Sequence, residues 1–286
     1  MSTVDIILIC YNQEQYIRQA LQSIYAQELP KDVSARIIVA DDCSTDDTLE
    51  TIKHMALESP IPIIFLSEES NMGISKNYHR AFTATTADYV AILEGDDYWL
   101  PNHLKQHVEF LAEHPECSMS MNEITMLFEE TGVLNLCSVV GRDEYRLVDV
   151  HRQISEGNQL GNLSACIFRG GYLRSIPLDL YDMNIADWML GIMVARYGDI
   201  GILKGSTSVY REKSSGVWAG KSHWQQYRMF IHDIQMYDKY LNYEYHLDWL
   251  LAKKKIHQYF FRNWMHFFPA IIQNTWHKIK LLYRKK

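Results

Sequence analysis

Two pairs of adjacent aspartates, Asp41-Asp42 and Asp96-Asp97, each stand just beyond a short run of strand length, Arg36 to Ala40 and Tyr89 to Leu93. Paired carboxylates offer hard oxygen ligands to a divalent cation that bridges the oxygens of a nucleotide diphosphate and carries the charge of the leaving group. A carboxylate also accepts hydrogen bonds from a base or a ribose. Tyr11, directly after a third run, Ile6 to Cys10, offers a ring for stacking. Taken singly, an Asp-Asp pair caps the next helix or makes a turn. Two pairs at the carboxyl ends of strands in an open α/β sheet lie where ligands bind, and they favour a nucleotide slot. The sequence has no G-x-G-x-x-G, no G-x-x-x-x-G-K-[ST] and no G-x-S-x-G, so dinucleotide dehydrogenases, P-loop NTPases and nucleophile-elbow hydrolases are not supported.

The elements that must position these residues alternate. Strand Ile6 to Cys10 precedes a helix through Ile17, Leu21 and Ile24, and strand Arg36 to Ala40 precedes one through Leu49, Ile52 and Met55. Strand Ile61 to Leu66, helix Ser75 to Thr83 and strand Tyr89 to Leu93 continue the pattern, which implies an α/β fold with a mostly parallel sheet and helices on both faces. A helix follows Pro101 to about Glu113. Beyond it the order is mixed: strands Cys117 to Phe128 and Gly132 to Val140 around a turn, a helix from Asp187 to Tyr197, a strand Ile200 to Lys204 and a helical C-terminus from Trp224.

With 286 residues, 47% of them hydrophobic, the chain can bury one large domain or two closely packed halves. A net charge of -7 argues against nucleic acid as a partner. The five cysteines are odd in number and never spaced C-x-x-C, which suggests neither a disulfide framework nor zinc and fits a reducing cytoplasm. The amino terminus lacks a basic segment, and its apolar run is too short for a signal core, so no secretory leader is expected.

Four ordered blocks resemble family 2 glycosyltransferases of the GT-A fold: Val4 to Gln27, I-I-V-A-D-D-C-S-T-D-D-T (Ile37 to Thr48), N-M-G-I-S-K-N (Asn71 to Asn77) and Y-V-A-I-L-E-G-D-D-Y-W (Tyr89 to Trp99). The resemblance implies an inverting enzyme. It would carry a sugar from a nucleotide-sugar, a UDP-sugar by preference, to a saccharide or lipid-linked acceptor hydroxyl in surface polysaccharide, lipopolysaccharide or glycolipid synthesis, with Mn²⁺ or Mg²⁺ as cofactor. It places Tyr11 and Asp41 on the nucleoside, Asp96 in the ribose or metal environment and Asp97 on the cation. A-D-W-M-L (Ala186 to Leu190) resembles the helix start bearing the catalytic base, which assigns that role to Asp187, with Asp182 as a fallback. V-Y-R-E-K-S-S-G-V-W (Val209 to Trp218) resembles the loop that closes over the donor.

Three positions depart from the family pattern: Glu94 where Asp is frequent, Ala186 where an acid is, and Lys213 where His is. Lys213 is either a point charge for phosphate in place of a metal-contacting His, or a solvated loop lysine. The implied organisation is a GT-A domain over 1–220, with a nucleotide half over 1–100 and an acceptor half over 101–220, then a helical extension over 221–286. A silent glycan- or nucleotide-binding module and a metal-dependent nucleotide-sugar hydrolase are the competing readings.

Two further features carry weaker chemistry. His103 and His107, four apart on the helix after Pro101, have a zinc-compatible spacing but no third ligand, and are expected on a solvated face. From Leu251 onward there are nine Lys/Arg and no Asp or Glu, with Ile256, Phe260, Trp264, Phe267 and Ile271 on one helical face and a break at Pro269. Such a face suits peripheral contact with the inner surface of the cytoplasmic membrane, or packing on the domain or a dimer partner.

Overall fold

The computed structural model describes residues 1–67, 70–183, 187–213, 220–260 and 262. In chain order the elements are β1 (Ser2–Cys10), α1 (Ile17–Tyr25), β2 (Val33–Asp41), α2 (Thr48–Ala56), β3 (Ile63–Phe65), α3 (Ile74–Ala84), β4 (Tyr89–Glu94), β5 (Tyr98–Trp99) and α4 (His103–Glu113). There follow β6 (Cys117–Asn122), β7 (Ile124–Phe128), β8 (Val133–Cys137), β9 (Tyr145–Val148), α5 (Val150–Ser155), β10 (Cys166–Arg169) and α6 (Gly170–Arg174). The series ends with α7 (Asp187–Ala195), β11 (Asp199–Leu203), β12 (Ser208–Glu212) and α8 (His223–Tyr240).

Eight strands form one mixed sheet in the order β3-β2-β1-β4-β10-β6-β11-β9. The strands β3, β2, β1 and β4 are mutually parallel, as the alternating pattern predicts, whereas β10 runs antiparallel between β4 and β6. Ile6 to Cys10 is a continuous apolar run because β1 is covered on both faces and paired on both edges. Asp5 in that strand is buried too. Its carboxylate is satisfied by Arg36 at 2.6 and 3.1 Å and by the N–H groups of Thr86 and Ala87. The chain crosses from β1 to β2 on one side and places β4 on the other, so the order reverses beside β1, the position where such sheets open a crevice.

Two expectations about the second half are corrected. The run from Cys117 to Phe128 is not one strand: it divides at Glu123, with β6 in the large sheet and β7 in a second sheet ordered β5-β12-β7-β8. Glu123 fixes the corner. Its carboxylate accepts from the Ser138 hydroxyl (2.7 Å) and the N–H groups of Val139 (2.7 Å), Val140 (2.9 Å) and Gly205 (2.9 Å). Burial works against its charge, yet these bonds hold its pKa down at about 2.

His103 and His107 are not solvated either; both are fully buried. His107 has its Nδ1 2.8 Å from Ser120 Oγ and its Nε2 3.1 Å from Asn122 Oδ1, while His103 Nδ1 lies 2.8 Å from Thr207 Oγ1 and its ring stacks on Trp99. Helix α4 lays them against β6 and the start of β12, so neutral polar side chains replace water. Burial lowers both pKa values, that of His107 to about 4.

Residues 154–157 and the described residues from 220 onward make a second compact unit. Within it α8 opens with a reciprocal cap between Ser222 and Gln225, and Tyr237 and Trp249 are buried, their rings 6.1 Å apart. The helix continuing over residues 246–260 contains Ile256 and Phe260, whereas Trp264, Phe267, Pro269 and Ile271 lie outside the described residues. Among the described residues no helix is long and apolar enough to cross a membrane.

The Glu123 corner makes a stability prediction. Glu123→Gln keeps the shape but loses the charge and turns one donor toward other donors, so urea unfolding should show a loss of about 1–3 kcal/mol at neutral pH. Because the folded-state pKa is depressed, that advantage of the wild type is present above the ordinary glutamate value and should shrink as pH falls toward about 2.

Candidate active site

The carboxyl ends of β1, β2 and β4 meet at one edge of the large sheet, Cys10 opposite Asp41 and Ile9 opposite Glu94. There β4 turns through Glu94-Gly95-Asp96-Asp97, closed by the Asp97 N–H on the Glu94 carbonyl (2.9 Å) and the Gly95 N–H on the Ile9 carbonyl (2.9 Å). Gly95 admits no side chain. A Cβ there would stand 2.4 Å from Gln13 Oε1, 2.9 Å from Ile17 Cδ1 and 3.0 Å from Cys10 Cβ.

The turn sends its two aspartates to different surroundings. Asp97 faces inward and is buried. Its Oδ2 accepts from Asn162 (2.8 Å) and the Ser164 hydroxyl (2.6 Å), and its Oδ1 from the Arg211 N–H (2.9 Å). Glu94 beside it accepts from the Tyr78 hydroxyl at 2.6 Å. Burial raises the pKa of both carboxyls, and the charges of their aspartate neighbours push further in the same direction. Asp96 is partly open to solvent, with Lys213 Nζ 2.6 Å from its Oδ2, and both side chains keep about a fifth of their surface open (22% and 23%). Arg211, two residues earlier, donates from Nε to the Asp96 carbonyl (3.0 Å) and from Nη2 to Gln19 (2.8 Å). The Arg211 guanidinium and the Lys213 ammonium both sit over the ring of Tyr16, at 4.7 and 4.6 Å from its centroid.

Asp187 begins α7 and accepts the N–H of Trp188 at 2.8 Å. Burial raises its pKa, with a bond from Asn158 opposing the shift. Its charge in turn raises Glu94 and the Tyr78 hydroxyl, so it belongs to the same electrostatic cluster. Asp182 is exposed on the surface. Ala186 and Trp218 lie outside the described residues.

Beyond the end of β1, Tyr11 is 46% exposed, its ring open to solvent. Asp41 is buried and holds its own turn, accepting from the Ser44 N–H (2.9 Å) and from the Ser44 hydroxyl. Asp42 accepts the N–H groups of Met72 and Gly73, each at 2.9 Å, and so pins the start of α3, whose side chain Arg80 returns to the Asp41 carbonyl (2.6 Å).

The sheet therefore brings Asp96, Asp97, Lys213 and Asp187 into one cluster, and sets Tyr11 and Asp41 at the neighbouring strand ends. The expected cation finds less support in the carboxylates. Magnesium-type sites draw on one or two carboxylates plus substrate phosphates. Here Asp97 has both oxygens bonded inward and Asp96 holds an ammonium. As arranged, these carboxylates do not fit a resident divalent cation. Sequence reasoning missed Tyr16, Tyr78, Ser164 and Arg211; they lie far apart in the chain and only the fold joins them to Asp96-Asp97.

Residues 5–131 match the family model described as Glycosyl transferase family 2. An uncharacterized protein of Mycobacterium tuberculosis is 30% identical over 218 residues, 75% of this chain; the chain spans 60% of that protein's length. The poly(ribitol-phosphate) beta-N-acetylglucosaminyltransferase TarS of Staphylococcus aureus is 31% identical over 114 residues, 40% of this chain and 20% of TarS. The crystal structure of TarS 1–349 with UDP-GlcNAc superposes with a TM-score of 0.58 at 19% identity, over 85% of this chain and 72% of that one. A mannosyltransferase of Pyrobaculum calidifontis in complex with GDP-Man and Mn²⁺ gives 0.57 at 19% identity, over 84% and 64%. These two superpositions bear on the fold, which is the GT-A arrangement of a large sheet with flanking helices.

Gly95 offers a direct check that this turn shapes the site. Gly95→Ala should cost about 1–3 kcal/mol in thermal unfolding through overpacking, and should weaken nucleotide binding more than an alanine placed at exposed Glu58.

Proposed function

We propose that this chain, whose residues 5–131 match the model described as Glycosyl transferase family 2, transfers a sugar from a nucleotide-sugar to an acceptor hydroxyl with inversion. The observation that carries the reading is the position of Asp187: a half-buried carboxylate at the start of α7, whose charge is felt at Glu94 in the turn at the strand edge where Tyr11 and Asp41 also lie.

The acceptor oxygen attacks the anomeric carbon from the side opposite the diphosphate. Asp187 takes the acceptor proton as the new C–O bond forms, and the bond to the diphosphate breaks with its electron pair leaving on phosphate. An oxocarbenium-like centre develops between them. A carboxylate raised above its ordinary range is a better proton acceptor, because efficiency grows as the pKa of a base nears the working pH. Tyr11 stacks on the base, and Asp41 offers it the lone pairs that Ser44 leaves uncommitted. Asp97 acts from below, holding the Arg211 main chain and thereby the cleft position of Asp96 and Lys213.

The UDP preference follows the family resemblance, and the UDP-GlcNAc bound to TarS supports it; the GDP-Man bound to the archaeal mannosyltransferase makes GDP-sugars the comparison. A saccharide or lipid-linked acceptor in surface polysaccharide or glycolipid synthesis, met at a membrane surface through the basic C-terminal segment, completes the proposal.

Nucleoside diphosphate release from a panel of UDP- and GDP-sugars, with glycan and glycolipid acceptors, tests it. Asp187→Asn should lower turnover ~10²- to 10⁴-fold while donor affinity stays within a few-fold. In the wild type, turnover should rise with pH as Asp187 loses its proton, with the acid limb above the usual carboxylate range because its pKa is raised. Donor binding without turnover for every acceptor would point to a silent binding module, and release independent of acceptor to a hydrolase.

A further inference from the structure

Divalent cations serve nucleotide-sugar chemistry by neutralising a diphosphate, and the position next to Asp96 is already filled by a positive charge of the chain itself. Lys213 Nζ sits 2.6 Å from Asp96 Oδ2, over the ring of Tyr16 and in line with the Arg211 guanidinium. The arrangement is built rather than incidental. Tyr16 is held by its hydroxyl on Glu129 (2.7 Å), and Arg211 by Gln19, by the Asp96 carbonyl and by its own N–H on buried Asp97. A metal ion approaching Asp96 would have to displace the Lys213 ammonium and then rest near the Arg211 guanidinium, which its hydrogen bonds hold in place.

An ammonium has three donors, and Asp96 takes one, so phosphate oxygens can accept from the others. Lys213 and Arg211 together bring two positive charges, the charge of the ion they stand in for. Both are partly open to the cleft, and Asp96 restrains the lysine without removing it from reach.

We propose that Lys213, seated on Asp96 with Arg211 beside it, receives the donor's diphosphate in place of a divalent cation, so that donor binding and transfer need no added metal. This rests on the nucleotide-sugar reading of the same site. In the transfer step the anomeric C–O bond breaks and its electron pair passes to the diphosphate, where Lys213 and Arg211 meet the charge by hydrogen bonds; the acceptor proton still goes to Asp187.

Calorimetric titration of the full chain with UDP, and separately with GDP, in EDTA and in Mn²⁺, tests the proposal without relying on any variant. Wild-type affinity for the nucleotide that binds should agree within threefold between the two buffers. Lys213→Ala should lose tenfold or more in EDTA and recover part of that loss in Mn²⁺, since Asp96 is then released to a metal, while Lys213→Arg should stay within threefold of wild type in EDTA. Wild-type binding that EDTA abolishes and Mn²⁺ restores would overturn the proposal, as would Lys213→Ala binding like wild type in EDTA. If neither nucleotide binds wild type in either buffer, it is the transferase reading that fails, and this inference falls with it.

Discussion

Four carboxylates, Glu94, Asp96, Asp97 and Asp187, occupy one edge of the large sheet, and the cost of keeping like charges together out of water governs what surrounds them. The inner members are met by neutral donors: Tyr78 on Glu94, Asn162 and Ser164 on Asp97. The outer one, Asp96, is met by an ammonium. The graded answer, hydrogen bonds inside and countercharge at the rim, leaves acidic groups with raised affinity for protons next to a cationic face that suits phosphate.

The two ends of the site are assembled by different means. The Tyr11 and Asp41 end is local: loops after β1 and β2 bond to each other through Asn12, Ser44 and Thr45, and Asp42 reaches only as far as the start of α3. The Asp96 and Asp97 end is long-range. Asn162, Ser164 and Arg211 reach Asp97 across 65 to 114 positions of sequence, so this end exists only once β10 and β12 have docked. A chain with its first hundred residues correctly folded would hold the Tyr11 and Asp41 loops in place and lack Arg211 and Lys213.

That difference explains what could be read in advance. Apolar runs bounded by aspartates name strands and strand ends, so the parallel β3-β2-β1-β4 portion, Tyr11, Asp41 and Asp96-Asp97 were legible, and the family resemblance pointed to Asp187. Periodicity reports that two side chains share a face but not what covers that face. His103 and His107 therefore looked solvent-facing until β6 supplied Ser120 and Asn122 and the residue before β12 supplied Thr207. Nor does a run of strand-forming residues disclose a corner within it, as Glu123 makes between β6 and β7. The opposite orientations of Asp96 and Asp97 follow from a four-residue turn, below the resolution of any pattern.

Arg211 and Lys213 stand two apart on an extended segment, so strand alternation puts them on one side, over the same tyrosine, and Tyr210 and Glu212 on the alternate side. Removing or adding one residue in the Ser208 to Lys213 segment would shift this alternation and exchange the two pairs of side chains. The sign of the charge set beside Asp96 is thus encoded in the parity of this segment. Over evolutionary time β12 can vary in side-chain chemistry far more readily than in length, and insertions should accumulate in other loops of this chain's relatives.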